Sequence, residues 1–142
     1  MSPSRLPVTV PELVTAESGP FWDGLAAGEL RLQRCGDCGA VIWYPRGLCP
    51  HCGSLALTWF TASGDGTIYS FTVVRRAPEP FGAAVPYVVA YVELAEGPRV
   101  LTNIVDCEPD LVRIGHPVRC VFQADEAGRA LLRFRPAPGA GD

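Results

Sequence analysis

Cys35-Gly-Asp-Cys38-Gly39 and, ten residues further on, Cys49-Pro-His-Cys52-Gly53 decide how this chain is read. Two Cys-x-x-Cys turns at this spacing supply four thiolates, the ligand set that tetrahedral Zn²⁺ prefers. Each turn ends in glycine, the residue that accepts the positive φ needed to point successive N–H groups back at the sulfurs. Two disulfides would leave the matched glycines without purpose, and a thioredoxin-like motif occurs once, at the head of a helix in a βαβ unit. The reading is therefore one structural zinc per chain, held by Cys35, Cys38, Cys49 and Cys52. His51 sits inside the second turn, and with four thiolates at hand it is expected at the surface.

Leu30-Arg-Leu-Gln-Arg-Cys35 alternates apolar and polar residues and predicts a strand running into the first turn. Val41-Ile-Trp-Tyr-Pro45 predicts its return, the two forming the hairpin of a zinc ribbon. A ribbon of this size has little core of its own, and the metal supplies on the order of 10 kcal/mol of folding free energy. Upstream, Phe21, Trp22, Leu25 and Ala26 fall at helical spacing behind Ser18-Gly-Pro20, with Ser18 as a cap and Gly28 as the stop. A helix of about two turns does not stand alone in water, so it must dock on the ribbon or on another chain. Residues 1–17, with Pro3, Pro7 and Pro11, read as an extended arm.

Downstream the periodicity is that of strands. Leu55 to Phe60 predicts a short strand leaving the ribbon, followed by strands over 66–75, 87–94, 99–105, 117–123 and 130–135. Five strands with short turns suit a small closed barrel of the OB type, with one helical turn expected over 110–115. The connection over 75–86 is the exception, twelve residues long with Phe81 at its tip as an exposed aromatic. Loops of that length tend to be functional or disordered, and in OB folds this one borders the ligand face. The fold class is thus mainly β: an arm (1–17), a helix and zinc ribbon (18–58), a five-stranded OB barrel (59–136) and a tail (137–142).

Composition narrows the function classes. The 142 residues are 48% hydrophobic, enough for a core, without the run of about 18 apolar residues that spans a bilayer. The N-terminus has no apolar segment of the signal-peptide kind, and thiols committed to a metal suit a reducing cytoplasm. All 12 basic residues are arginine, which removes Schiff-base chemistry, and the net charge of −3 opposes a nucleic-acid footprint. Cys107 and Cys120 lie in strand-like surroundings and His116 at a turn, so no nucleophile–base pair is evident. A closed Cys₄ site keeps no open position for water. The chain does not read as a self-sufficient enzyme.

The order of Phe21-Trp22, Gly28-Glu-Leu-Arg-Leu-Gln-Arg-Cys35, Trp43-Tyr-Pro-Arg46, Cys49-Pro-His-Cys-Gly-Ser54, Trp59 and Ser63-Gly-Asp-Gly-Thr-Ile-Tyr-Ser70 resembles one family. It is the rubredoxin-like zinc ribbon plus OB-fold proteins that accompany acyl-CoA enzymes, long catalogued as a domain of unknown function. The resemblance runs from Phe21 to Phe134, and its ribbon half is the specific half. It implies a non-catalytic accessory subunit that binds a thiolase-like enzyme or lipid-transfer-protein-type aldolase, with some members fused to MaoC-type hydratases. It further implies contact with, or channelling of, a CoA thioester, the known settings being steroid side-chain degradation, where the partner is a retro-aldolase, and archaeal mevalonate synthesis. On that footing Phe21, Trp22, Leu25 and Phe81, joined by Trp43, are the expected partner interface. Arg46, Arg75 and Arg76 are the expected contacts of the CoA phosphates, since guanidinium pairs bidentately with phosphate. The competing readings are a nucleic-acid-binding ribbon and barrel, and a scaffold that touches no ligand.

Overall fold

The computed structural model describes residues 14–79, 81–124 and 128–138, so residues 1–13 of the expected arm over 1–17 and residues 139–142 of the expected tail over 137–142 lie outside the described residues. After helix α1 (Gly19–Ala26) come β1 (Arg31–Cys35), β2 (Val41–Ile42) and β3 (Leu57–Thr61), an antiparallel sheet in the order β2-β1-β3. Strands β4 (Asp65–Val74), β5 (Tyr87–Leu94), β6 (Arg99–Ile104), β7 (Pro117–Ala124) and β8 (Ala130–Pro136) close a barrel in the order β4-β5-β6-β8-β7. The mainly β reading, with one short helix, a ribbon and a five-stranded barrel, is what the chain adopts.

Alternation builds the barrel. Val88, Ala90, Val92 and Leu94 of β5 and Val100, Thr102 and Ile104 of β6 point inward, and Phe134 of β8 is fully buried among them. Closure between β6 and β8 rests on the single parallel pair Ile104↔Phe134, reinforced where the Thr102 hydroxyl donates to the Leu132 carbonyl at 3.1 Å. A register shift in β4 between Ile68 and Ser70 leaves Tyr69 facing solvent and returns Phe71 and Val73 to the core. At Gly66 a β-carbon would lie 2.5 Å from Val92 Cγ1 and 2.9 Å from the Glu93 carbonyl, so this approach of β4 to β5 requires glycine.

Several expectations give way here. The segment from Leu55 does not leave the ribbon. Its strand begins at Leu57 and pairs along all of β1, from Arg31↔Thr61 to Cys35↔Leu57. The cause is the free edge of β1: β2 lies on one side only, and the N–H and C=O groups that point to the other side need partners, which β3 supplies. The return strand ends at Ile42, because Trp43 and Tyr44 turn their rings onto Phe21 instead. Ser18 does not cap the helix; its buried hydroxyl accepts from the Thr15 N–H at 2.9 Å, and its own N–H donates to the Thr15 hydroxyl. The loop after β4 is folded back by a 3₁₀ turn over Gly82–Ala84 that buries Ala84, and Phe81 is half-buried, 6.4 Å from the Tyr87 ring. The turn between β6 and β7 falls at Pro109–Leu111.

Helix α1 docks on its own chain, against β1 and β8. Phe21 and Leu25 are 3% and 2% exposed, so these two expected interface residues belong to the interior and present almost no surface to a partner. They join Leu30 and Leu32 in the same cluster as Val88, Val100 and Phe134, which makes the core continuous from ribbon to barrel. The rings of Trp22 and Trp43 stand edge-on to Phe21 at 5.3 Å each, and that of Tyr44 at 5.7 Å. Truncating such a hub leaves a cavity between three elements. Phe21→Ala is expected to lower unfolding stability by about 3–5 kcal/mol, read as a lower urea midpoint at unchanged slope.

Candidate metal centre

The two Cys-x-x-Cys turns repeat one local geometry. The N–H of Gly39 donates to the Cys35 carbonyl at 2.9 Å and that of Gly53 to the Cys49 carbonyl at 2.8 Å. Both glycines hold positive φ, 76° and 78°, the left-handed conformation that makes so tight a reversal feasible. The reversal aims peptide N–H groups at sulfur: Asp37 and Cys38 donate to Cys35 Sγ, and His51 to Cys49 Sγ, each at 3.4 Å. As a result the four Sγ atoms lie within 4.8 Å of one another, with Cys35 and Cys52, and Cys38 and Cys49, 3.6 Å apart. A tetrahedron of thiolates around an ion at about 2.3 Å has edges of about 3.8 Å, so the cage fits a tetrahedral metal.

Electrostatics agree with that fit. The Cys38 N–H, together with that of Asp37, holds the Cys35 thiol down to about 6. At Cys52 the Ser54 N–H pulls the same way, but the neighbouring sulfurs, Cys35 foremost, and burial outweigh it and push the thiol up to about 12. Four sulfurs packed this closely cannot all ionise beside one another, and a bound dication removes the conflict by stabilising every thiolate. All four corners are then occupied by protein, which leaves no position for water or substrate.

A second set of contacts fixes the cage. The Gln33 carboxamide donates to the Arg46 carbonyl and accepts from the Arg46 N–H, both at 2.8 Å, tying the loop between the two turns to β1. Gln33 is 4% exposed and drew no notice in the sequence, because its partner is a backbone group with no residue signature. The Ser54 hydroxyl donates to the Asp37 carboxylate and so bridges the two turns. His51 is exposed and its ring stands outside the sulfur group.

The other expected site residues are dispersed. Trp22 and Trp43 are half-buried around Phe21, with Tyr44 exposed beside them, while Phe81 belongs to a separate contact with Tyr87. Arg75 is paired with Asp110 at 3.0 Å, and Arg46 and Arg76 are exposed. Cys107 and His116 line a cavity of about 120 Å³ at one end of the barrel with Ile68, Ile104, Val112 and Val118. Burial, then Asp106 and Glu108, pushes the Cys107 thiol up, and burial does the same for Cys120, so both are protonated at neutral pH.

Two outcomes follow from this geometry. Metal analysis should find one four-coordinate ion per chain, lost on changing any of Cys35, Cys38, Cys49 or Cys52 to Ser and kept in Cys107→Ser and Cys120→Ser. Gln33→Leu leaves both Arg46 peptide groups unpaired, at about 1–3 kcal/mol, and should speed metal loss to a chelator at unchanged stoichiometry.

Residues 22–58 match the family described as "ChsH2, rubredoxin-like zinc ribbon domain", and residues 59–123 match "ChsH2, C-terminal OB-fold domain". A "Probable enoyl-CoA hydratase alpha subunit" of Thermomonospora curvata is 40% identical over 118 residues, covering 82% of this chain and 37% of that one. A "DUF35 domain-containing scaffold protein" of Methanothermobacter thermautotrophicus is 44% identical over 94 residues, covering 64% of this chain and 69% of that one. This chain thus spans little more than a third of the hydratase subunit. The solved structure of an "Ltp2-ChsH2(DUF35) aldolase" superposes with a TM-score of 0.80 at 35% identity, covering 89% of this chain and 98% of that chain. With both halves matched in order and the ligand cage intact, the chain belongs to the DUF35 family of ChsH2-type zinc-ribbon and OB-fold proteins.

Proposed function

We propose that this chain is a non-catalytic subunit of an acyl-CoA-processing complex, with Zn²⁺ in the Cys₄ cage as a structural ion and a thiolase-like aldolase as its partner. The observation that carries the reading is the closed four-sulfur site in a chain whose remaining thiols are half-buried and protonated. Zinc is the ion that four thiolates select without redox chemistry, and its role here is to hold β1, β2 and the second turn in register. The likeness to the Ltp2-ChsH2(DUF35) aldolase supports an aldolase partner, and a steroid side-chain retro-aldolase is the specific case we propose. The hydratase relative supports a second use of the same fold, beside a hydratase.

Docking falls to the aromatic surface at the helix–ribbon junction. Trp22 and Trp43 keep part of their rings exposed and Tyr44 is 37% exposed, while Phe21 beneath holds them rigid. The Trp22 indole N–H is enclosed and donates to nothing among the described residues, a donor that a partner's acceptor would satisfy. Rigid aromatic anchors of this kind concentrate interface energy, about 2 kcal/mol or more each. Phe81, on the folded-back loop, is the second docking point, beside the barrel face where OB proteins meet their ligands.

The decisive experiment is co-expression with a thiolase-like aldolase of the kind proposed, followed by affinity capture. A stable complex with acyl-CoA turnover is expected, and none from the isolated chain, whose described residues bring no base and electrophile together. Trp22→Ala combined with Phe81→Ala should weaken assembly in sedimentation without loss of metal. Turnover by the chain alone, or no complex at all, would contradict the reading.

A further inference from the structure

The outer face of β7 and β8 carries a charge arrangement that the fold does not balance. In the antiparallel register Arg119 stands directly opposite Arg135, and Arg133 lies two residues before Arg135 on the same face, opposite Val121. Directly opposed β-carbons are ~5 Å apart, and like charges in that relation are destabilising. One carboxylate offsets three guanidiniums: Asp65, opposite Arg119 in the β4–β7 ladder, pairs with it at 3.0 Å. Arg133 and Arg135 are half-buried and form no ion pair among the described residues. Arg133 donates from one terminal nitrogen to the Leu132 carbonyl at 3.2 Å, while its enclosed Nε–H meets nothing there. Burial lowers its pKa, with no anion among the described residues to offset the cost. Such a concentration of positive charge is unexpected in a chain of net charge −3.

The geometry points to a phosphate-binding face on β7–β8, in which Arg119, Arg133 and Arg135 receive the phosphates at the nucleotide end of the CoA thioester. This identification of the ligand rests on the function proposed above; the phosphate chemistry rests on the arginines themselves. Guanidinium groups pair with phosphate through parallel N–H donors, and partial desolvation strengthens each such pair. The face is distinct from the arginines that the loop supplies. Arg75 follows the end of the ten-residue strand β4 opposite to Asp65, and is already paired with Asp110.

The test uses the zinc-loaded full chain and calorimetric titration with adenosine 3′,5′-bisphosphate, inorganic phosphate and phosphate-free pantetheine. Adenosine bisphosphate should bind, weaken as salt is raised, and lose at least tenfold in affinity in the Arg133→Gln, Arg135→Gln double variant. Glutamine keeps the stem packing, and circular dichroism with metal analysis checks that the variant is folded. Arg34→Gln with Arg99→Gln, a charge-matched control on β1 and β6, should leave the affinity unchanged. Pantetheine should not bind. Four results overturn the proposal: no binding of either phosphate probe, equal loss in the Arg34/Arg99 variant, inorganic phosphate binding as tightly as the bisphosphate, or tighter binding of a single-stranded oligonucleotide. Loss of partner capture by the double variant, with probe affinity intact, assigns the face to a protein contact and overturns it as well. Because these titrations need no partner enzyme, their outcome is separable from the failure of the complex to form.

Discussion

Four sulfurs held within 4.8 Å of one another are a constraint that nothing apolar in the ribbon could replace. Strand β2 contributes two residues, and the loop from Trp43 to Leu48 has no ladder of its own. Ordering that loop costs conformational entropy of about 1–2 kcal/mol per residue, against very little burial. The metal site offsets this cost at one end and the Gln33–Arg46 pair at the other. Once the cage is closed, β1 has a fixed direction and can accept β3 along its second edge.

From β1 the order passes to the barrel through one side chain. Phe21 lies under Trp22, Trp43 and Tyr44 and, with Leu25, Leu30 and Leu32, merges with the barrel interior. The Leu30 carbonyl accepts from the Ala62 N–H at 2.7 Å, so the backbone is tied at the same junction. Ribbon and barrel are thereby held at a set orientation, which a docking subunit needs if its two faces are to meet one partner. The interior aromatic fixes position, and the aromatics around it keep part of their rings at the surface.

The two charged surfaces of the molecule differ in how they are satisfied. Arg31, Arg75, Arg99 and Arg119 each have a carboxylate within 3.1 Å. Such exposed pairs contribute little to stability and are ordinary surface features. Arg133 and Arg135 have no such pair among the described residues and, unlike the exposed Arg34, Arg46, Arg76 and Arg113, are half-buried, beside a like charge on a strand that also supports the helix. A fold that places charge this way without a partner spends stability at a position where a ligand would recover it.

Much of this was legible in the residues. The cage, the helix and the five barrel strands follow from short-range chemistry: ligand spacing, turn glycines and alternation over a few residues. Three things were not legible. Alternation could not say which edge of β1 the strand after Cys52 would take, because strand partners depend on unsatisfied peptide groups elsewhere in the sheet. Nor could an amphipathic pattern say whether Phe21 and Leu25 face a partner or their own core, since an apolar stripe looks the same for either. Likewise Arg119 and Arg135 are sixteen residues apart in sequence and become neighbours only through the β7–β8 register. The sequence by itself determined the metal ligands and the kind of fold; the tertiary structure decided which aromatics are buried and which charges are opposed, because both depend on contacts between residues distant along the chain.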